Sequence, residues 1–396
     1  EAIFRFCVTV QDAIWDDTDN LWRIATSAGD VTARYLVSGA GGLSEPRLPD
    51  IRGIEDFRGE IFHSARWNHD VDLAGKRVAV IGTGASAIQI VPKVAALAGR
   101  LDVYQRTAPW VMPRHDREYT AVERLGLRYV PGLQKLYRTA IYWGRECYVP
   151  AFTLLPALAT PVRLMAQKNI ENGIADPELR QAVTPTFDIG CKRILISNTY
   201  YPALDQDNVE LVTDGIREVT TSGIVTNDGT HREIDVLIVA TGFHTTDQPI
   251  AHHIKGREGL TLADTWSEGG MAAYKGTTVS GFPNLFQIVG PNTGLGHSSM
   301  VFIIESQIAY IIDALRTAGE QGLAALEPRP DAQQKWNDGL QRRMKRTVWN
   351  SGGCSSWYLD EHGRNTILWP RTTFSFRALL RKFDADQYLT TKEHVA

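Results

Sequence analysis

The chain has 396 residues, 43% hydrophobic and 22% charged, with 42 basic and 45 acidic side chains and a net charge of −3. A single core stops growing near ~250–300 residues, so this length calls for two or three packed units. The even charge balance argues against a nucleic-acid partner, and the lack of about 18 uninterrupted apolar residues argues against a spanning helix.

In chain order, residues 4–37 read as short β elements. Runs at Phe6–Val10 and Trp22–Thr26 flank the turn-rich Asp-Asp-Thr-Asp-Asn, and a third run, Ala33–Val37, leads into Ser-Gly-Ala-Gly-Gly42. A connector punctuated by Pro46 and Pro49 leads to Phe57. Lys76-Arg-Val-Ala-Val-Ile81 is too continuously apolar for a half-exposed strand and reads as a buried parallel one. After Gly82-Thr-Gly84, Ile88, Val91, Val94, Ala95 and Ala98 recur at helical spacing, and Leu101–Gln105 is the next strand: one βαβ unit.

Residues 116–185 lack strand signals and read as mainly helical. Within them Tyr148 to Ala166, broken by Pro150, Pro156 and Pro161, reads as a helical hairpin beside a pocket. Strands are expected again at Arg193–Ile196, Val209–Val212, Asp235–Val239 and Phe282–Val289, then a glycine-rich turn at 290–296 and a helix over roughly 298–316. The four cysteines, Cys7, Cys147, Cys191 and Cys354, are far apart and form no Cys-x-x-Cys pair. That spacing points away from zinc or another metal set, away from a disulfide framework, and toward a reducing cytoplasm; no signal peptide is visible.

The strongest motif is Gly82-Thr83-Gly84-Ala85-Ser86-Ala87 between strand and helix. The first glycine allows the tight turn, the second lets a pyrophosphate approach the backbone, and the small third residue lets the helix pack on the strand. The helix start then offers free N–H groups and a positive dipole end to the phosphate. About 20 residues on, an NAD site places an acid for the ribose hydroxyl; this chain has Gln105-Arg106-Thr107. A guanidinium suits a 2′-phosphate, so the residues select NADPH.

Just before this unit lies Phe57-Arg-Gly59-Glu-Ile-Phe-His63-Ser-Ala-Arg-Trp67. It resembles the F-x-G-x-x-x-H-x-x-x-W fingerprint of Baeyer–Villiger monooxygenases, with Asn68 where many members carry Pro or Asp. Further landmarks follow in the family's order: Gly190-Cys-Lys192-Arg193, Ala240-Thr241-Gly242, Gly281–Phe286, Gly290–His297 and Ser356-Trp357-Tyr358. The resemblance implies an α/β flavoprotein with two Rossmann-like dinucleotide-binding domains and a helical insertion, using FAD and NADPH. It implies that one atom of O2 enters beside a ketone carbonyl by way of a C4a-peroxyflavin, giving an ester or lactone.

By the same resemblance, Arg193 is the catalytic cation that stabilises the peroxide and the alkoxide, Lys192 and Arg106 hold the 2′-phosphate, and Trp357 touches the nicotinamide ribose. Ala240-Thr241-Gly242 closes the flavin domain, and His63 couples domain movements. A permanent guanidinium in a water-excluding site suits the role given to Arg193. His297-Ser-Ser299 either faces the flavin's carbonyl edge with free N–H groups or is capped by Ser298.

Three segments are expected: 1–70 as part of the FAD domain, 71–236 as the NADPH domain with its insertion, and 237–396 returning to the FAD domain. The family's first glycine turn, for FAD, has no counterpart here, so the reading is of an N-terminally truncated chain, inactive alone. The alternatives are an N- or S-oxygenating relative, for which no alkoxide stabiliser is needed, and a non-catalytic NADPH-binding remnant.

Overall fold

Five short strands build the central sheet of the computed structural model, which describes residues 4–114 and 116–393. Their order is Val209–Val212, Arg100–Tyr104, Arg77–Ile81, Val236–Val239 and Glu60–His63, all parallel. The three central strands are covered on both faces, which is why they are apolar throughout instead of alternating. The exceptions are Arg77 and Arg100 at the strand starts and Asp102, which is buried but held at 2.9 Å by the Arg100 guanidinium.

Helix Ala87–Ala95 lays Ala87, Ile88, Val91, Val94 and Ala95 on one face of the sheet, against Val78, Val80, Leu101 and Val103. Each buried Ile or Val among them contributes about 1.5–3 kcal/mol, and each Ala less. The small antiparallel sheet Ile216–Val219, Gly223–Thr226 and His231–Glu233 covers the opposite face through Val219 and Ile224. The sheet takes its edge strand, Glu60–His63, from ahead of the βαβ unit, and that strand's partner, Val236–Val239, from near the junction at 236–237.

Residues 116–185 are mainly helical as expected: Ala121–Tyr129, Leu133–Glu146, Val149–Thr153, Thr160–Gly173 and Pro177–Ala182. Thr120 and Glu123 form a capping box at the first of these. The proline-broken stretch folds as the short helix Val149–Thr153, the 3-10 turn Pro156–Ala159 and the start of Thr160–Gly173.

The remaining strands differ from expectation in their bounds. The first β-hairpin pairs Val10–Asp16 with Leu21–Thr26, so its first strand begins where the 6–10 run was expected to end. Ala13 and Trp15 alternate inward there, whereas Phe4 and Phe6 are exposed. The run at 33–37 splits into Val31–Ala33, which joins this sheet, and Leu36–Ser38, which pairs in parallel with Leu285–Gln287. Only Leu195–Ile196 of the 193–196 run is strand, pairing with Val111–Met112, so Arg193 sits in a loop.

Helix Met300–Gln321 packs Ile303, Tyr310 and Ala314 into a core with Phe286 and Trp369. Its N-cap is Ser299, without a side-chain cap bond, which removes the reading of Ser298 as the cap. The cysteine reading is also corrected. Cys191 and Cys354, 163 residues apart, are joined by a disulfide, while Cys7 and Cys147 are free and exposed. Local spacing carries no signal for a pair that only tertiary folding brings together.

Candidate active site

The glycine turn forms where the sheet ends. Gly82 has φ +113°, and a Cβ there would lie 2.5 Å from the Ala240 carbonyl oxygen, so only glycine fits. Gly84 opens onto free space, leaving its backbone approachable. Thr83 donates from Oγ1 to the Thr107 carbonyl at 3.0 Å, fastening the turn to the end of the next strand. Ser86 stands at the helix start without a side-chain cap bond. Open backbone, small side chains and an uncapped helix start are what a pyrophosphate needs.

Three cations stand around this end of the sheet. Gln105 turns inward, its amide nitrogen donating to the Ala182 carbonyl at 2.8 Å, while Arg106 points out to solvent. Lys192 is half-buried over the Phe187 ring, 5.2 Å from its centroid. Burial lowers the Lys192 pKa and the Arg106 charge lowers it further, so the two positive groups feel each other although 86 positions apart. Arg193 follows, exposed, and its charge reaches the buried Tyr358 hydroxyl, whose pKa burial raises. Among the described residues, Arg106, Lys192 and Arg193 make no side-chain hydrogen bond or ion pair. Cations without a counter-charge suit an anion, and the chemistry of Arg106 and Lys192 fits a 2′-phosphate.

The fingerprint residues form a joint beside that site. Gly59 lies where a Cβ would meet the Asp235 carbonyl oxygen and the Phe57 ring. His63, buried at the end of its strand, accepts from the Ala65 N–H at Nδ1 and sets its ring edge-on to Phe243, 5.7 Å away. Its Nε2 is buried with no partner, and burial lowers its pKa. Trp67 packs edge-on to Phe62 at 5.0 Å. Ala240-Thr241-Gly242 is tied to the connector, Thr241 Oγ1 donating to the Arg47 carbonyl and Arg47 N–H to that of Gly242.

A second crevice lies at the carboxyl ends of the parallel pair Leu36–Ser38 and Leu285–Gln287, where open α/β sheets bind nucleotides. Ser38, Gly41, Gln248, Gln287 and Gly290 line it, and the buried Gln287 Oε1 has no partner. Ile250, Leu262 and Trp266 join the lining, so the crevice fits the edge of a flavin nucleotide and does not enclose one. Trp357 is exposed, its ring tilted against that of Tyr358 at 4.5 Å, and its carbonyl accepts from Thr245 Oγ1. Sequence reasoning missed one group: Glu146 on helix Leu133–Glu146, which accepts from the Thr373 N–H (3.0 Å) and hydroxyl (2.7 Å) and faces His297 Nε2 at 3.3 Å. Its one trace in the sequence is that it is the only acid on a helix carrying Lys135, Arg138 and Arg145.

A glycine turn at the end of a parallel sheet, with unpaired cations nearby, fits an oxidoreductase that works with a dinucleotide cofactor. Residues 28–141 match the flavin-binding monooxygenase-like family. The chain is 51% identical, over 97% of its length and 74% of the relative's, to a Baeyer-Villiger monooxygenase of Streptomyces coelicolor. It superposes on cyclohexanone monooxygenase from Rhodococcus sp. Phi1 bound to NADP+ with a TM-score of 0.85 at 28% identity, covering 98% of this chain and 81% of that one. OTEMO in complex with FAD and NADP gives 0.85 at 27% identity over the same shares. The chain belongs to the Baeyer–Villiger monooxygenase family, with the mixed α/β architecture of its flavoproteins.

Proposed function

We propose that the protein is an NADPH- and FAD-dependent monooxygenase that converts a ketone and O2 to an ester or lactone, with water and NADP+ as the other products. The observation that carries this reading is the open glycine turn at the end of the parallel sheet, where only glycine fits at Gly82 and Gly84 leaves the backbone approachable, followed at the end of the next strand by Arg106 in place of an acid. FAD, when bound, takes electrons from NADPH and supplies the activated oxygen atom.

Everything else falls to this chain's residues. Gly82, Thr83, Gly84, Ala85 and Ser86 hold the NADPH pyrophosphate, and Arg106, Lys192 and Thr107 hold the end bearing the 2′-phosphate. Trp357 flanks the nicotinamide side, and Ala240, Thr241 and Gly242 border the flavin nucleotide. Arg193 carries the fixed positive charge for the oxyanion that develops on the ketone oxygen. Its side chain is exposed, so water has to be excluded by the bound ligands themselves. Phe57, Gly59, His63 and Trp67 join the two nucleotide regions, with His63 meeting Phe243 directly after the Ala240–Gly242 turn.

In this reading residues 1–70 and 237–396 serve the flavin and 71–236 serve NADPH; the first and last three residues lie outside the described ones. Dependence on NADPH supports a cytoplasmic setting. No helix among the described residues is long and apolar enough to cross a membrane. The test is Arg193→Ala, assayed with a ketone panel. Ester or lactone formation should fall at least a hundredfold while NADPH still reduces the flavin. Undiminished ketone turnover would remove Arg193 from the chemistry.

A further inference from the structure

The disulfide joins the two loops to which the previous reading assigns the NADPH contacts. Cys191 is fully buried and immediately precedes Lys192 and Arg193, while Cys354 is half-buried and lies three residues before Trp357. The loops meet closely. A Cβ on Gly352 would lie 2.8 Å from that of Cys191, and the Asp188 N–H donates to the Gly352 carbonyl at 3.0 Å. Beyond the bond, Tyr358 lies within reach of the Arg193 charge.

Neither Lys192 nor Arg193 has a side-chain bond of its own among the described residues, so their placement depends on what anchors the backbone before them. Between the loops that anchor is one backbone hydrogen bond, the packing of Ile189 against Val348 and Trp349, and the S–S link, the one covalent tie among them. We propose that the Cys191–Cys354 bond is a positioning element for the NADPH 2′-phosphate site, holding Lys192 in place, and that its reduction by a dithiol loosens the enzyme's preference for NADPH over NADH. This rests on the reading of Lys192 as a phosphate contact.

The exchange is chemically complete. A thiolate of the dithiol attacks the accessible Cys354 Sγ, the Cys354–Cys191 bond breaks, and Cys191 leaves as a thiolate beside two cations in the chain, which favour that charge. The dithiol's second sulfur then displaces Cys354, so two electrons and two protons pass to the protein and the dithiol becomes a cyclic disulfide. A low-molecular-weight disulfide reverses the process. Severing the link removes the covalent tie between two segments 163 residues apart, leaving them joined by one backbone hydrogen bond and by the packing of Phe187 and Ile189 against Val348, Trp349 and Tyr358.

The experiment compares oxidised and dithiol-reduced protein, with alkylation and mass measurement reporting the thiol state. Binding of NADPH and of NADH is followed by cofactor fluorescence, and Cys354→Ser serves as a permanently open form. The expected result is that NADPH binds about tenfold more weakly after reduction and in Cys354→Ser, with NADH binding unchanged. A purely stabilising crosslink would lower the melting temperature and leave the NADPH-to-NADH ratio alone, which would overturn the proposal. Free thiols at both positions in the oxidised protein would overturn it too. Lys192→Ala separates the two levels. If it lowers the ratio and reduction does not, the tether fails and the phosphate contact stands; if neither does, the contact itself is wrong.

Discussion

Replacing each glycine of the Gly82-x-Gly84 turn by alanine should separate folding from binding. At Gly82 the added methyl would sit 2.5 Å from the Ala240 carbonyl oxygen and 3.0 Å from its carbon. Ala240 cannot yield freely, because its N–H donates to the Ile81 carbonyl at 2.9 Å and it ends the strand Val236–Val239. The φ of +113° adds backbone strain of about 1–3 kcal/mol for any L side chain, and overpacking adds about 1–3 kcal/mol more. Gly82→Ala should therefore cost about 2–6 kcal/mol. Gly84→Ala meets nothing within 4 Å and needs no unusual φ, so folding should change by less than ~0.5 kcal/mol. Its methyl would instead stand where the pyrophosphate approaches, and NADPH affinity should fall about 10–100-fold, or ~1.4–2.8 kcal/mol. Urea titration and NADPH fluorescence read the two effects separately. Wild-type NADPH binding by Gly84→Ala would refute the pyrophosphate role of the turn, and wild-type stability of Gly82→Ala would refute its packing against Ala240.

Three further outcomes follow from the same geometry. Arg106→Ala removes one of the two cations assigned to the 2′-phosphate, so NADPH should bind about 10–100-fold more weakly while NADH, lacking the 2′-phosphate, binds as before. Glu146→Ala strips the acceptor from the Thr373 N–H and from His297 in a site only 2–3% exposed, and should cost about 3–5 kcal/mol in urea unfolding, with Glu146→Gln restoring at least half. Burial lowers the pKa of both His63 and His297 from their ordinary value of 6.5, although Glu146 pulls His297 the other way. The unfolded chain thus binds more protons, so stability rises with pH and is lost as pH falls below about 6.5. Thermal melts at pH 7.5 and 5.5 should show the lower value at 5.5. Asp235, held at about 2 by Arg77, stays ionised across that window and does not blur it.

What could be read from the sequence followed the range over which each signal acts. The Gly82 turn, its buried strands and the helix after it are written in residues within one βαβ unit, where period and turn chemistry act locally, and the structure reproduces them. The strand bounds at 6–10, 33–37 and 193–196 slipped because apolar content alone does not say which neighbour a strand finds. Leu36–Ser38 exists as a strand because Leu285–Gln287, some 250 residues on, lies beside it. Arg193 looked like the start of a strand and stands in a loop because the chain turns at Gly190, where φ is +96°, and is held at Cys191. The two pairings that escaped entirely, Cys191 with Cys354 and Glu146 with His297, span 163 and 151 positions. Each looked like an ordinary residue in its own segment: a small apolar thiol, an acid on an amphipathic helix. Only burial makes such groups consequential, since a buried carboxylate must find donors and a thiol meets another only where two loops are packed together. Both pairs fasten the segments on which the proposed contacts sit, the phosphate loop in one case and the entry to helix Met300–Gln321 in the other. The motif residues therefore name the chemistry, while the placement that makes it work rests on partners the local pattern does not contain.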